Sequence, residues 1–339
     1  MATIKDVAAL AGISYTTVSH VLNKTRPVSE EVRRKVEAAI KSLDYVPSAV
    51  ARSLKAKTTA TIGLLVPNSL NPYFAELARG IEDYCERNGY CVILCNSDDN
   101  PDKQRNYLRV LLEKRIDGLI VTSAGGDRGL AEGLAGVRTP MVIVDRGLEG
   151  VNADLVRIDH HHGAYLATRH LLELGHRDIA CIGGPADTSV AQMRLAGFRQ
   201  ALQEAGVEVP AGRILESDFS STGGYHAAAQ LLDGQPPSAI FAANDMMGIG
   251  VLRAAAERNI RVPGELSVIG FDDILMSRYV YPALTTVGQS ILQLGETAAE
   301  LLLRRIATRE LPVDQRIVTP SIVLRESTAP LGGAFAEYR

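Results

Sequence analysis

A chain of 339 residues, 46% hydrophobic and 22% charged, is too long for one small core, so two or three domains are expected. The formal charge of -3 hides a division: six Lys and four Arg against two Asp and three Glu make residues 1–58 +5, which leaves -8 for the rest. A basic head on an acidic body points to a polyanion at one end only, because phosphate contacts need Lys and Arg where the nucleic acid lies. No apolar run approaches the roughly 18 residues of a membrane span, and the start MATIKDVA carries no apolar leader core, so a cytoplasmic protein with no membrane partner is expected. Cys85, Cys91, Cys95 and Cys181 lack CxxC or zinc-finger spacing, and buried free thiols are the expectation.

In chain order, residues 4–11 read as a helix with Ile4, Val7, Ala8 and Ala11 inward. Gly12 can take the positive φ that ends it, and Ser14 stands where the next helix needs an N-cap. In that second helix Val18, Val21 and Leu22 form one stripe, while Thr16, Ser19, His20 and Asn23 project from the opposite side. An exposed row of short donors and acceptors beside a turn glycine is what a helix reading the major groove requires; an ordinary surface hairpin is the alternative. A third helix follows, capped by Ser29, with Glu30 and Glu31 at its positive end and Val32, Val36, Ile40 and Leu43 buried. The three make a headpiece over 1–46. The segment SAVARSLKAK, 48–57, has helical character but is shorter than the roughly 12 residues at which isolated helices become marginal. It reads either as a plain linker or as a hinge over 47–58 that folds on DNA, with Leu54 placed to wedge between base pairs and Arg52, Lys55 and Lys57 near phosphates.

From residue 60 apolar strands alternate with amphipathic helices. TIGLLVP, CVILCN, DGLIVTS, MVIVD, IACIGG, AIFAAN and LSVIGF read as strands, with helices such as 73–88, 102–115, 163–174, 193–205, 223–233 and 245–258 between them. Continuous apolar strands joined by helices mean parallel sheets covered on both faces, and this length suits two doubly wound α/β lobes over 59–330, with a tail at 331–339. Ligands in such folds gather beyond the carboxyl ends of strands. The residues there are Asn68, Asn71, Tyr73 and Phe74, then Asp145 and Arg146, Asn244 and Asp245, and Asp272 and Asp273. Amides, carboxylates, a guanidinium and rings suit a polyhydroxylated ligand, although Asn68, Asn244 and Asp245 could each cap the next helix. His160, His161 and His162 are adjacent and cannot easily face one ion, so no metal is expected. No P-loop, GxSxG or strand-borne GxGxxG occurs, which argues against an enzyme.

Over nearly its full length the chain resembles the lactose and galactose repressor family, through TIKDVAALAGISYTTVSHVLN, VPSAVARSL, ATIGLLVPNSLNPYFAELARGIE, LGHRDIACIGG, AIFAANDMMGIGVL, LSVIGFDD and PALTTVGQ. Within it the chain looks closest to ribose operon repressors and purine repressors. The resemblance implies an all-α helix-turn-helix headpiece on a periplasmic-binding-protein-like core, a homodimer on a palindromic double-stranded DNA operator, and a small-molecule effector. It further implies that Tyr15, Thr16 and His20 face base edges, that Asn23 and Arg26 lie close to DNA, and that Leu54 opens the central step, with Thr3, Ser14, Thr17, Ala51 and Lys55 completing the contact set. From ribose-binding proteins, which share the core, the effector contacts carried over are Asn71, Tyr73, Phe74, Asp145, Arg146, Arg194, Phe219, Asn244, Phe271, Asp272 and Gln289. Tyr73 departs from the Phe of that pattern. A purine repressor would have Trp after the Asp at 145, and this chain has no Trp. The expectation is therefore a repressor of a sugar-use operon, released by D-ribose, with a nucleobase corepressor as the alternative.

Overall fold

The computed structural model describes residues 2–23, 25–46, 58–122, 127–145, 148, 150–288 and 290–332, the side chains of 127–129 aside. They form two compact units that divide between residues 59 and 60.

The first unit is three helices, α1 (Ile4–Ala11), α2 (Tyr15–Asn23) and α3 (Glu30–Ser42). A reciprocal capping box starts α1: Thr3 Oγ1 accepts from the Asp6 N–H, and the Thr3 N–H donates to Asp6 Oδ2 at 2.7 Å. Gly12 ends it at φ 68°, and Ser14 Oγ accepts from the Thr17 N–H at 3.1 Å. Val7, Val18 and Val36 are fully buried at the centre, with Ile4, Ala11, Val21, Leu22, Ile40 and Leu43 around them. Ala39 is buried as well, which the expected stripe of α3 omitted.

The second unit contains two six-stranded sheets. Its strands are β1 (Thr61–Val66), β2 (Cys91–Asn96), β3 (Gly118–Thr122), β4 (Met141–Val144), β5 (Asp154–Ile158), β6 (Ile179–Gly183), β7 (Ile214–Glu216), β8 (Ala239–Ala242), β9 (Ser267–Asp272), β10 (Thr285–Gly288), β11 (Gln315–Val318) and β12 (Ser321–Val323). Its helices are α4 (Pro72–Arg87), α5 (Pro101–Glu113), α6 (Asp127–Leu134), α7 (His160–Glu173), α8 (Ser189–Glu204), α9 (Ser221–Leu232), α10 (Asp245–Glu257) and α11 (Ile291–Ala307), with a 3-10 turn at Leu275–Arg278. The sheet orders are β11-β5-β4-β3-β1-β2 and β12-β10-β9-β8-β6-β7. Every pairing is parallel, as the expected parallel-sheet lobes require, except that of the edge strand β12 with β10. The chain crosses between lobes after β5, β10 and β11. All seven expected strands form. β5, β7, β10, β11 and β12 were not foreseen: they are short, or carry polar residues as DLVRI, TTVG and QRIV do.

Helix α11 follows the second crossing and packs back on the first sheet and on α4. The two helices meet so closely that a Cβ on Gly80 would lie 2.2 Å from the Leu292 carbonyl oxygen, and one on Gly295 would lie 2.4 Å from that of Leu77. Backbone cannot move aside as a flexible side chain does, so Gly80→Ala is expected to destabilise the core by about 3 kcal/mol, at the upper end for overpacking. Urea unfolding checks this, and an unchanged midpoint would refute it. Among the cysteines, Cys85, Cys95 and Cys181 are buried, with burial pushing the Cys85 thiol up to about 11 and Cys181 to about 12. Cys91, on edge strand β2, is exposed, contrary to expectation.

Candidate functional site

At the carboxyl ends of the strands the two lobes enclose a cavity of about 310 Å³. Asn71, Tyr73, Phe74 and Asp145 line it from the first lobe, and Arg194, Phe219, Asn244 and Asp272 from the second. These are expected effector residues from six separate stretches of chain, brought together because both sheets point the same strand ends at the gap. Tyr73 and Phe74 open α4, their rings edge to face with centroids 5.1 Å apart. Arg146 and Gln289 lie outside the described residues.

The charged centre is built from buried groups. Arg194, 4% exposed, projects from α8 and donates to Asp272 Oδ1 at 2.9 Å, to the Ala243 carbonyl, and to Nδ1 of His160. Its guanidinium carbon sits 3.7 Å from the centroid of the Phe271 ring. Phe271 is thus fully buried beneath Arg194 and does not line the cavity, a correction to its expected role as a direct contact. His160 Nε2 lies 2.8 Å from Asp145 Oδ1, across the lobes. Burial pushes Asp272 up to about 6, with Arg194 pulling it down and Asp145 pushing it further up. The Tyr73 hydroxyl is raised well above its usual range, first by burial and then by Asp145 and Asp272. That hydroxyl is buried and has no hydrogen-bond partner among the described residues, where an unmet polar group carries its full desolvation cost.

Four lining residues hold positive φ without being glycine: Asp99 at 52°, Asp145 at 83°, Phe219 at 62° and Asp272 at 114°. Such backbone costs of order 1–3 kcal/mol each, and it persists where surrounding structure aims a side chain at a task. Asn71 and Asn244 serve both readings. Each caps a helix, Asn71 Oδ1 accepting from the Tyr73 N–H at 3.0 Å and Asn244 Oδ1 from the Met247 N–H at 2.9 Å, and each also lines the cavity. Asp245 and Asp273 do not line it. Asp245 is fully buried and accepts from the Ile274 N–H, Ser277 Oγ and Thr286 Oγ1. Asp273 pairs with Arg325. His160 was set aside with its neighbours as a poor metal site, yet it stands at the heart of the network; its place two residues after β5 was the available signal. Among the described residues no three His, Cys, Asp or Glu side chains gather to hold a metal ion, and no helix is long and apolar enough to cross a membrane.

On the headpiece, Tyr15 is 61% exposed and Thr16, Asn23 and Arg26 are exposed too. His20 Nδ1 lies 2.7 Å from Thr25 Oγ1, and the Asn23 amide donates to the Ser19 carbonyl at 2.9 Å. Thr3, Ser14 and Thr17 are occupied in helix starts, Ser14 Oγ lying 2.9 Å from Thr17 Oγ1. Ala51, Leu54 and Lys55, with the expected hinge helix, lie outside the described residues.

Residues 3–48 match the model of bacterial regulatory proteins of the lacI family, and residues 168–328 match a periplasmic binding protein-like domain. The chain is 46% identical over 342 residues to the HTH-type transcriptional repressor PurR of Proteus mirabilis, covering the whole of both. It is 44% identical to that of Photobacterium profundum, over 98% of this chain and all of the relative. Among solved structures it resembles a lac repressor dimer bound to operator and the anti-inducer ONPF, at TM-score 0.86 and 30% identity over 97% of this chain and 99% of that one. It also resembles a LacI family transcriptional regulator from Enterococcus faecium with bound ribose, at TM-score 0.72 and 37% identity over 80% of this chain and 99% of that one.

Proposed function

Since the chain belongs to the lacI family of bacterial regulatory proteins and is a DNA-binding transcriptional repressor, we propose that it responds to a pentose, D-ribose before others, bound between the lobes. The observation that carries this is the pair of buried carboxylates, Asp145 and Asp272, facing one cavity from opposite lobes beside a guanidinium and three aromatic rings. Vicinal hydroxyls donate to carboxylates and accept from amide and phenol groups, while rings cover the apolar faces of a sugar. The ribose-bound relative from Enterococcus faecium supports the same class of ligand.

A second reading has its own support. The full-length relatives at 44–46% identity are called PurR, a name that points to a purine, and on names alone they favour a nucleobase over a sugar. A nucleobase would use Asp145 and Asp272 as acceptors for ring and amino N–H groups and stack on Tyr73, Phe74 or Phe219.

In this proposal residues 1–46 read DNA through Tyr15, Thr16 and His20, residues 47–58 form the hinge, and 59–330 bind effector and dimerise, so that two heads on one two-fold axis read two half-sites. Effector can act on DNA only through a difference in affinity between lobe arrangements, and a sugar inducer would favour the one that releases operator. Calorimetric titration with D-ribose and hypoxanthine, alongside binding to a palindromic duplex selected from a random library, tests it. The expected result is saturable ribose binding that lowers duplex affinity, with duplex binding lost and ribose binding kept when 1–58 are removed. Hypoxanthine binding alone, with tighter duplex binding, would replace the sugar by the nucleobase.

A further inference from the structure

His160 begins α7 as a fully buried side chain between two charged groups. Its Nδ1 lies 3.4 Å from Arg194 Nε and 3.3 Å from a terminal guanidinium nitrogen. Guanidinium N–H groups only donate, so Nδ1 accepts, and the ring proton sits on Nε2 and is donated to Asp145 at 2.8 Å. Arg194 continues the chain of bonds to Asp272. Asp145 directly follows β4 of the first sheet, whereas α7, Arg194 and Asp272 belong to the second lobe. The line Asp145, His160, Arg194, Asp272 therefore spans the cleft floor and joins the two carboxylates that face the cavity.

Resting on the cleft reading above, we infer that His160 is a positioning residue for effector binding: it orients the Asp145 carboxylate and ties it across the lobes to the Arg194–Asp272 pair. The role requires one side chain that donates on one edge and accepts on the other. Neutral imidazole does this without adding charge to a floor that already holds two carboxylates and one guanidinium. Without it, Asp145 keeps its backbone place just after β4 but loses the bond that ties its carboxylate across the lobes. A satisfied core histidine would matter to folding alone, and the two roles separate experimentally.

The test uses the full chain, titrated with D-ribose and hypoxanthine, as His160→Leu, His160→Gln, Asp145→Asn and the Leu/Asn double variant, with thermal unfolding of each without ligand. His160→Leu is expected to weaken binding of whichever ligand the unaltered chain takes by about tenfold, a coupling typical of groups in one network. His160→Gln, whose amide both donates and accepts, is expected to recover most of that loss. The double variant should bind no more weakly than Asp145→Asn, because His160 acts through Asp145. His160→Asn, whose shorter amide reaches one partner only, replaces the Leu variant if that one does not fold. Binding by the Leu variant within about twofold of the unaltered chain, or losses that multiply in the double variant, overturns the inference and leaves the cleft reading standing. Failure of the unaltered chain to bind either ligand overturns both.

Discussion

Replacing Arg194 by Met is expected to weaken effector binding by at least about 100-fold, or about 2.7 kcal/mol. One buried guanidinium serves three partners, Asp272, the Ala243 carbonyl and His160, and its carbon sits over the Phe271 ring, 3.7 Å from the centroid. Met preserves much of the volume but none of the donors. Asp272 then stands in the same low-polarity site without the cation that holds its carboxyl down, so it rises from about 6 and takes up a proton near neutral pH. A protonated acid no longer offers an anionic oxygen to a ligand. Removing one member of a buried ion pair also costs about 3–5 kcal/mol of stability where the other stays charged, and protonation of Asp272 offsets part of this. Calorimetry on the folded variant gives the first number and urea unfolding the second. Ligand affinity within about threefold of the unaltered chain would remove Arg194 from the effector site.

Asp245→Asn is expected to flatten the dependence of core stability on pH. Burial first, and then the charge of Asp272, push the Asp245 carboxyl up to about 8, against the donors Ser277, Thr286 and Ile274 that pull it down. The unfolded chain releases that proton near the ordinary value of about 4. Between these values the folded protein holds more protons than the unfolded chain, so stability falls as pH rises through the window and levels off above about 8. The limiting slope is about 1.4 kcal/mol per pH unit for one proton. Asn keeps an acceptor oxygen and does not titrate; whatever its amide costs among those donors is the same at every pH. From pH 5 to pH 8 the unaltered protein should lose on the order of 3 kcal/mol relative to the variant in urea unfolding. Parallel pH profiles for the two proteins would refute the assignment.

Much of the site could be read from strand ends because a parallel sheet sends all its carboxyl termini to one edge. That rule found Asn71, Asp145, Asn244 and Asp272. It could not choose between neighbours. Asp272 faces the cavity while Asp273 turns to Arg325, and Asn244 lines it while Asp245 is buried behind, because adjacent residues at a strand end point to opposite sides. Phe271 was misplaced for the same reason, as support beneath Arg194 and not as cavity wall. His160 was obscured by its two histidine neighbours, since nothing in a run of three identical residues says which one turns inward.

Local patterning by itself determined the three headpiece helices, with Gly12 and Ser14 setting their turn, and the seven strongly apolar strands, because capping and burial periodicity act over a few residues. Tertiary structure alone decided the short edge strands β7, β11 and β12, which are stabilised by partners far along the chain, and the reversal of β12. It alone decided the chain of contacts from Asp145 through His160 and Arg194 to Asp272, whose members lie up to 127 positions apart and whose bonds depend on burial that no local window contains.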